Sequence, residues 1–134
     1  MSDEDDVTIE SIEISPNECP LESPLHLSIA FRSKRAFTAA RWKITYTVDT
    51  VHTRKVIYLG ETDAADYSVG SNVMTFSVDQ ISTEGIPKDV LANIGLLAAT
   101  LMEGDKEVLA VNMVTQVRAE ANGSLSRVIF SPLE

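Results

Sequence analysis

One cysteine, Cys19, is all that the 134 residues hold, so an internal disulfide is impossible and packing alone must keep the fold. That scarcity, with no charged-then-apolar leader at the start, points to a reducing compartment, nuclear or cytoplasmic. Long apolar runs are missing too. None approaches the roughly 20 residues that cross a bilayer as a helix, so no membrane partner is expected. Basic residues are few, 11 against 20 acidic ones, and the net charge of −9 repels nucleic acid backbones while favouring basic protein partners. Also absent are a glycine-rich phosphate loop, a nucleophile elbow, histidines paired at ligand spacing and a cysteine pair. Catalysis, a cofactor and a metal centre are therefore not expected.

What the chain does have is alternation. At 44% hydrophobic and 23% charged residues it is composed like an ordinary globular domain, and its length suits one core. The reading is a single domain over 7–134 behind a disordered acidic N-terminus, 1–6, that holds Asp3-Glu4-Asp5-Asp6. Leu25, Leu27, Ile29 and Phe31 share one face of a strand, and Trp42, Ile44, Tyr46 and Val48 share one face of the next. The basic, polar stretch Arg32 to Arg41 reads as the loop between them. Two such strands predict a pair of sheets closing over Trp42. In Val7 to Ile14 the apolar phase slips between Ile9 and Ile12, which calls for a bulge or a strand changing sheets. Pro16, Pro20 and Pro24 mark a connection.

Further strands are expected at Lys55 to Leu59, Asn72 to Val78, Val108 to Val117 and Arg127 to Phe130, with a polar loop from Glu61 to Ser71. Asp89 to Met102 fits either a helix or, from Ile94, the first strand of a hairpin turning at Gly104-Asp105. Taken together, the pattern predicts an all-β, immunoglobulin-like β-sandwich with one short helical turn.

Few side chains offer chemistry. His26 lies on the outward face of its strand and His52 in a charged loop, where each reads as a solvated residue rather than a base. Glu61, Asp63 and Asp66 share a loop and read as a solvated acidic loop before a weak cation site. Cys19 has no activating neighbour in sequence. If Ile94 to Met102 is a strand, both its faces are apolar: one enters the core, and the other is either covered by a loop or presented to a protein partner.

Four stretches together carry a resemblance. They are Val7-x-Ile9-x-x-Ile12-x-Ile14 before a proline turn, Pro24 to Phe31, the Trp42-Lys43-Ile44-x-Tyr46 core, and Gly70 to Pro87 with Phe76, Asp79 and Ile86-Pro87. They resemble the anti-silencing factor family of histone chaperones over most of residues 7–117. The resemblance implies an elongated immunoglobulin-like sandwich without enzymatic activity. It implies core histones held on one sheet, partner chaperones docked opposite, a helical turn near Lys88 to Ala92 and a strand from about Ile94. Leu96 keeps an apolar contact of that family. Val90, Ala110 and Val114 stand where it places an aspartate, an arginine and a tyrosine, and the basic Ser33-Lys34-Arg35 stands in its acidic docking loop.

Loss of one partner of a desolvated charge pair costs about 2–5 kcal/mol, so the chain reads as a divergent relative. The expected partner site is an apolar groove of Ile94, Leu96, Ala98, Ala110 and Val114 that takes a histone helix. Lys34, Arg35 and Arg41 form either a second docking patch or an ordinary solvated edge. The competing expectation is an adaptor subunit of a non-chromatin assembly, for example cytoskeletal or ciliary. In both cases the chain is expected to be a monomer until its partner binds.

Overall fold

A computed structural model describes residues 6–49, 54–83, 85–92 and 94–132. His52 and the acidic residues 3–5 lie outside that range. Asp6, expected in a disordered terminus, is anchored: its carbonyl accepts from the Lys34 amide at 2.8 Å and its carboxylate meets Arg35 Nε at 3.2 Å.

The fold is all-β, an immunoglobulin-like sandwich of two antiparallel sheets. One sheet has the order β1 (Val7–Ser15), β3 (Leu25–Ser33), β7 (Gly70–Val78). The other runs β2 (Cys19–Pro20), β10 (Leu125–Ile129), β9 (Lys106–Ala119), β8 (Gly95–Glu103), β4 (Phe37–Asp49), β5 (Arg54–Glu61), with β6 (Ala65–Tyr67) also on β4. β1, β3 and β7 thus take the places of strands A, B and E of an immunoglobulin domain, and β5, β4, β8 and β9 those of C′, C, F and G. A single helical turn, α1 (Lys88–Leu91), precedes β8 where the resemblance implied it.

The alternating residues meet in the middle as expected. Leu25, Leu27, Ile29 and Phe31 face Trp42, Ile44, Tyr46 and Val48 across the core, and the Phe31 ring lies 5.4 Å from that of Trp42. Truncating a buried aromatic such as Trp42 to alanine costs about 3–5 kcal/mol. The phase slip in β1 is a bulge, with the pairing to β3 shifting between Ile9 and Ser11.

Two connections differ from the sequence reading. The loop drawn from Arg32 to Arg41 shrinks to Lys34–Ala36, because β4 begins at Phe37. Its burial rhythm is broken there, with Phe37, Ala40 and Trp42 inside and Ala39 at φ 52°, an irregularity where β6 pairs with β4. Irregular strands hide from an alternation test. The second difference is the segment Glu61 to Ser71, which is no free loop. Thr62 Oγ1 accepts from the Trp42 amide at 2.9 Å, β6 follows along β4, and Tyr67 turns inward to meet Phe31 edge-on at 5.1 Å.

The C-terminal strand is tied to the N-terminal crossover. The Asn17 side chain donates to the Ile129 carbonyl and accepts from the Ile129 amide, both at 2.9 Å. Beside it Arg127 is fully buried and, among the described residues, faces no carboxylate; its guanidinium donates to the carbonyls of Leu21, Ser23 and Pro24 at 2.7, 3.0 and 2.8 Å. A planar, always-charged fork suits several carbonyls converging from one turn.

Candidate functional site

β8 is apolar on both faces, and the sheet resolves what each face does. Gly95, Leu97, Ala99 and Leu101 are buried, while Leu96, Ala98, Thr100 and Met102 point outward and are half-buried by their neighbours in the sheet. Register sets those neighbours. Leu96 lies between Val114 of β9 and Thr47 of β4, Ala98 between Asn112 and Thr45, and Thr100 between Ala110 and Lys43. Thr47 continues the first row to Val56 of β5, and the Phe130 amide closes on the Val114 carbonyl at 2.9 Å.

An apolar row therefore runs from Phe130, just past the end of β10, across four strands through Val114, Leu96, the Thr47 methyl and Val56. Ile94 and Tyr58 flank it. Exposure is 67% at Ile94, 58% at Val56, 57% at Tyr58 and 47% at both Val114 and Phe130, far above the near-zero values of the core. Single exposed apolar residues are ordinary, but a contiguous set on one sheet face is the kind of surface that partners cover. The segment from Glu61 to Ser71 leaves this face open, since it follows the edge of β4 and then turns toward β7.

All five expected partner residues lie on or beside this face. Leu96, Ala98, Ala110 and Val114 project from it and Ile94 precedes it. Val56, Tyr58 and Phe130 were missed as members. Each alternates within its own strand, but only the pairing of β4 with β5 and of β9 with β10 brings them to Leu96, and no local pattern encodes that pairing.

The expected basic patch does not assemble as free charge. Arg35 is engaged by Asp6 and by Glu103, each at 3.2 Å, and its guanidinium stacks 4.0 Å from the centroid of the Phe37 ring. Glu103 also accepts from the Thr38 amide at 3.0 Å; that bond and Arg35 hold its carboxyl below the ordinary range. Arg41 pairs with Glu61 at 2.7 Å. Lys34 is exposed.

Polar groups at the β4–β5 side of the face are coupled. The Tyr58 hydroxyl, then Arg41 and Lys43, lower the Glu61 carboxyl, and desolvation followed by Glu61 raises the Tyr58 phenol. The Lys43 ammonium sits 5.9 Å from the Tyr58 ring centroid. Glu61, Asp63 and Asp66 do not converge: Glu61 serves Arg41, and Asp66 accepts from the Ala39 amide at 2.8 Å. Among the described residues no group of three or more potential ligands that could hold a metal is found. His26 is exposed and its Nδ1 lies 2.7 Å from Ser77 Oγ, a surface pair on the other sheet. Cys19 Sγ is 3.5 Å from the Pro16 carbonyl.

No family model matches the chain, and no curated protein matches it either. Among solved structures it is similar to the CARDB domain of PF1109 from Pyrococcus furiosus, a solution NMR structure. Identity there is 12%, with 94% of this chain and 93% of that chain covered and a TM-score of 0.40.

Proposed function

We propose that this protein is a non-enzymatic protein-binding module whose client lies on the outward face of β9, β8, β4 and β5. One observation carries the reading: the apolar row from Phe130 to Val56 is contiguous, exposed and left open by the segment that follows β5. Burial of apolar surface contributes roughly 25 cal/mol per Å², so covering such a row is favourable for any client of matching shape.

Two clients compete. Core histones follow from the resemblance, and the retained apolar contact at Leu96 together with the net charge of −9 supports them. A non-chromatin adaptor role is favoured by the polar contacts that the face lacks. Val90, Ala110 and Val114 replace polar contacts of the family, and the cations beside the row, Lys43 and Arg54, each lie opposite an acidic residue, Glu61 and Asp49, in the β4–β5 register. The adaptor role is therefore our first reading.

The test is titration of a reconstituted core histone pair at about 0.15 M and about 0.5 M salt, with Leu96→Asp as control, because screening removes bulk attraction but not a packed interface. Binding that survives salt and disappears in Leu96→Asp assigns histones as the client. Absence of binding, or loss on adding salt that is equal in both proteins, leaves the adaptor role.

A further inference from the structure

We infer that the outer edge of β7 is a self-association surface, taken by the β7 of a second copy of this chain laid antiparallel about a two-fold axis at Val73. The edge belongs to the three-stranded sheet, apart from the docking face proposed above, and neither reading depends on the other. A strand at the edge of a sheet keeps one side of its backbone donors and acceptors unpaired, and proteins guard such strands with short length, bulges, proline or charge. Among the described residues the other edges are guarded in this way. β2 and β6 are two and three residues long, and β2 ends in Pro20. β1 carries the bulge between Ile9 and Ser11. β5 opens with Arg54-Lys55, Lys55 lies opposite buried Val48 and so on the inward phase, and its pairing with β4 shifts between Tyr58 and Gly60.

β7 has none of these devices. Its nine residues, Gly70–Val78, hold no charge and no proline, and they pair with β3 in unbroken register from Gly70 opposite Ser33 to Val78 opposite Leu25. Among the described residues no strand but β3 is hydrogen-bonded to it. β5 comes near it only from the opposite sheet, where Gly60 faces the Phe76 ring.

The groups left open are backbone donors and acceptors, so the occupant is itself an extended strand. Its own pattern selects a second copy. The outward phase reads Ser71, Val73, Thr75, a hydroxyl on either side of a valine that is 62% exposed, with Ala30 of β3 on one flank and the open edge on the other. A two-fold axis normal to the sheet keeps the faces matched. With Val73 on that axis, valine meets valine and Ser71 meets Thr75 on both sides of it, and β-branched and hydroxyl pairs of this kind stabilise a sheet. Because the segment is uncharged, no like charges meet across the edge. On the same face β3 places Arg32 beside Ser71. The two copies of Arg32 are held at least three strand spacings apart, about 14 Å, beyond the screening length of about 8 Å at physiological salt. The two three-stranded sheets then continue as one, in place of the monomer expected from the sequence.

Sedimentation equilibrium of the full chain tests this. Wild type is expected to dimerise measurably at about 100 µM. Val73→Lys sets two ammonium groups against each other at an exposed position, so it should weaken the dimer by about tenfold or more while leaving the urea midpoint unchanged. In a Cys19→Ser background, Val73→Cys should form an intermolecular disulfide under mild oxidation, since residues opposite each other in an antiparallel pair lie within disulfide reach. Ser77→Cys, off the axis, should not. A wild type that stays monomeric at about 100 µM overturns the inference. So does a dimer that Val73→Lys leaves intact, or one that cross-links through Ser77→Cys as readily as through Val73→Cys. A dimer that Leu96→Asp dissociates and Val73→Lys does not places the contact on the apolar row and overturns it too.

Discussion

Arg127 Nη1 donates to the Leu21 carbonyl at 2.7 Å from a guanidinium that has no exposed surface. With Ser23 and Pro24 also accepting from it, one side chain fixes the turn through which the chain passes from β2 to β3. Burial lowers its pKa, and nearby Cys19 and Tyr46 oppose that shift.

Replacing Arg127 by methionine keeps volume but leaves those carbonyls without donors. A buried acceptor left unsatisfied costs about 1–3 kcal/mol, so a loss of about 3–5 kcal/mol is expected, measured as a lower urea midpoint. Arg127→Lys should recover only part of it, since one ammonium does not reproduce the planar fork. A loss below about 1 kcal/mol in the methionine variant overturns the assigned role.

The same residue shows what the sequence hides. Alternation in Leu25 to Phe31 and Trp42 to Val48 was legible because each residue's fate depends on neighbours two positions away. Arg127 sits on the inward phase of β10 between Leu125 and Ile129, and a charged residue at an inward position reads from sequence as a surface one. Its partners lie more than 100 residues away, brought near by a two-residue strand that begins at the only cysteine. The docking face divides in the same way: Leu96, Ala98, Ala110 and Val114 were reachable from the β8–β9 hairpin pattern, whereas Val56, Tyr58 and Phe130 depend on which strands pair.

Tyr46 makes stability fall in strong alkali. Burial raises its phenol from the ordinary 10.0 to about 12, with the Arg127 charge opposing. The unfolded chain releases that proton first, so the contribution is complete below about pH 10 and is lost as pH rises through about 12. A two-unit shift corresponds to about 2–3 kcal/mol. Urea midpoints for wild type and Tyr46→Phe at pH 9 and about pH 11.5 should diverge, with the phenylalanine variant keeping more of its stability. The Tyr46 hydroxyl has no hydrogen-bond partner among the described residues, so at neutral pH this variant should be neutral or more stable by up to about 1 kcal/mol. Parallel losses in both proteins remove Tyr46 as the cause.

Gly95 and Tyr46 are coupled sterically. A Cβ on Gly95 meets the Tyr46 hydroxyl and ring directly, and the glycine is itself buried between Val48 and Thr115 in the sheet. Gly95→Ala should cost about 1–3 kcal/mol through overpacking. In a double-mutant cycle with Tyr46→Leu, which removes the ring edge, the combined loss should be smaller than the sum of the single losses. Additive losses mean that the alanine is accommodated elsewhere.

Leu96 and Leu97 are neighbours with opposite fates. Leu97 is fully buried against the core, and its truncation to alanine should cost about 2–5 kcal/mol, seen as a lower thermal midpoint. Leu96 projects from the other face, half-buried by Val114 and Thr47, so Leu96→Ala should cost under about 1 kcal/mol. The ordering reverses for binding. Native wild-type protein should bind a hydrophobic reporter dye at the open row, and Leu96→Ala combined with Val114→Ser should remove most of that signal without shifting the midpoint, while Leu97→Ala should not reduce it. A dye signal untouched by the Leu96 and Val114 changes locates the exposed apolar surface elsewhere and takes away the ground on which the docking face is argued.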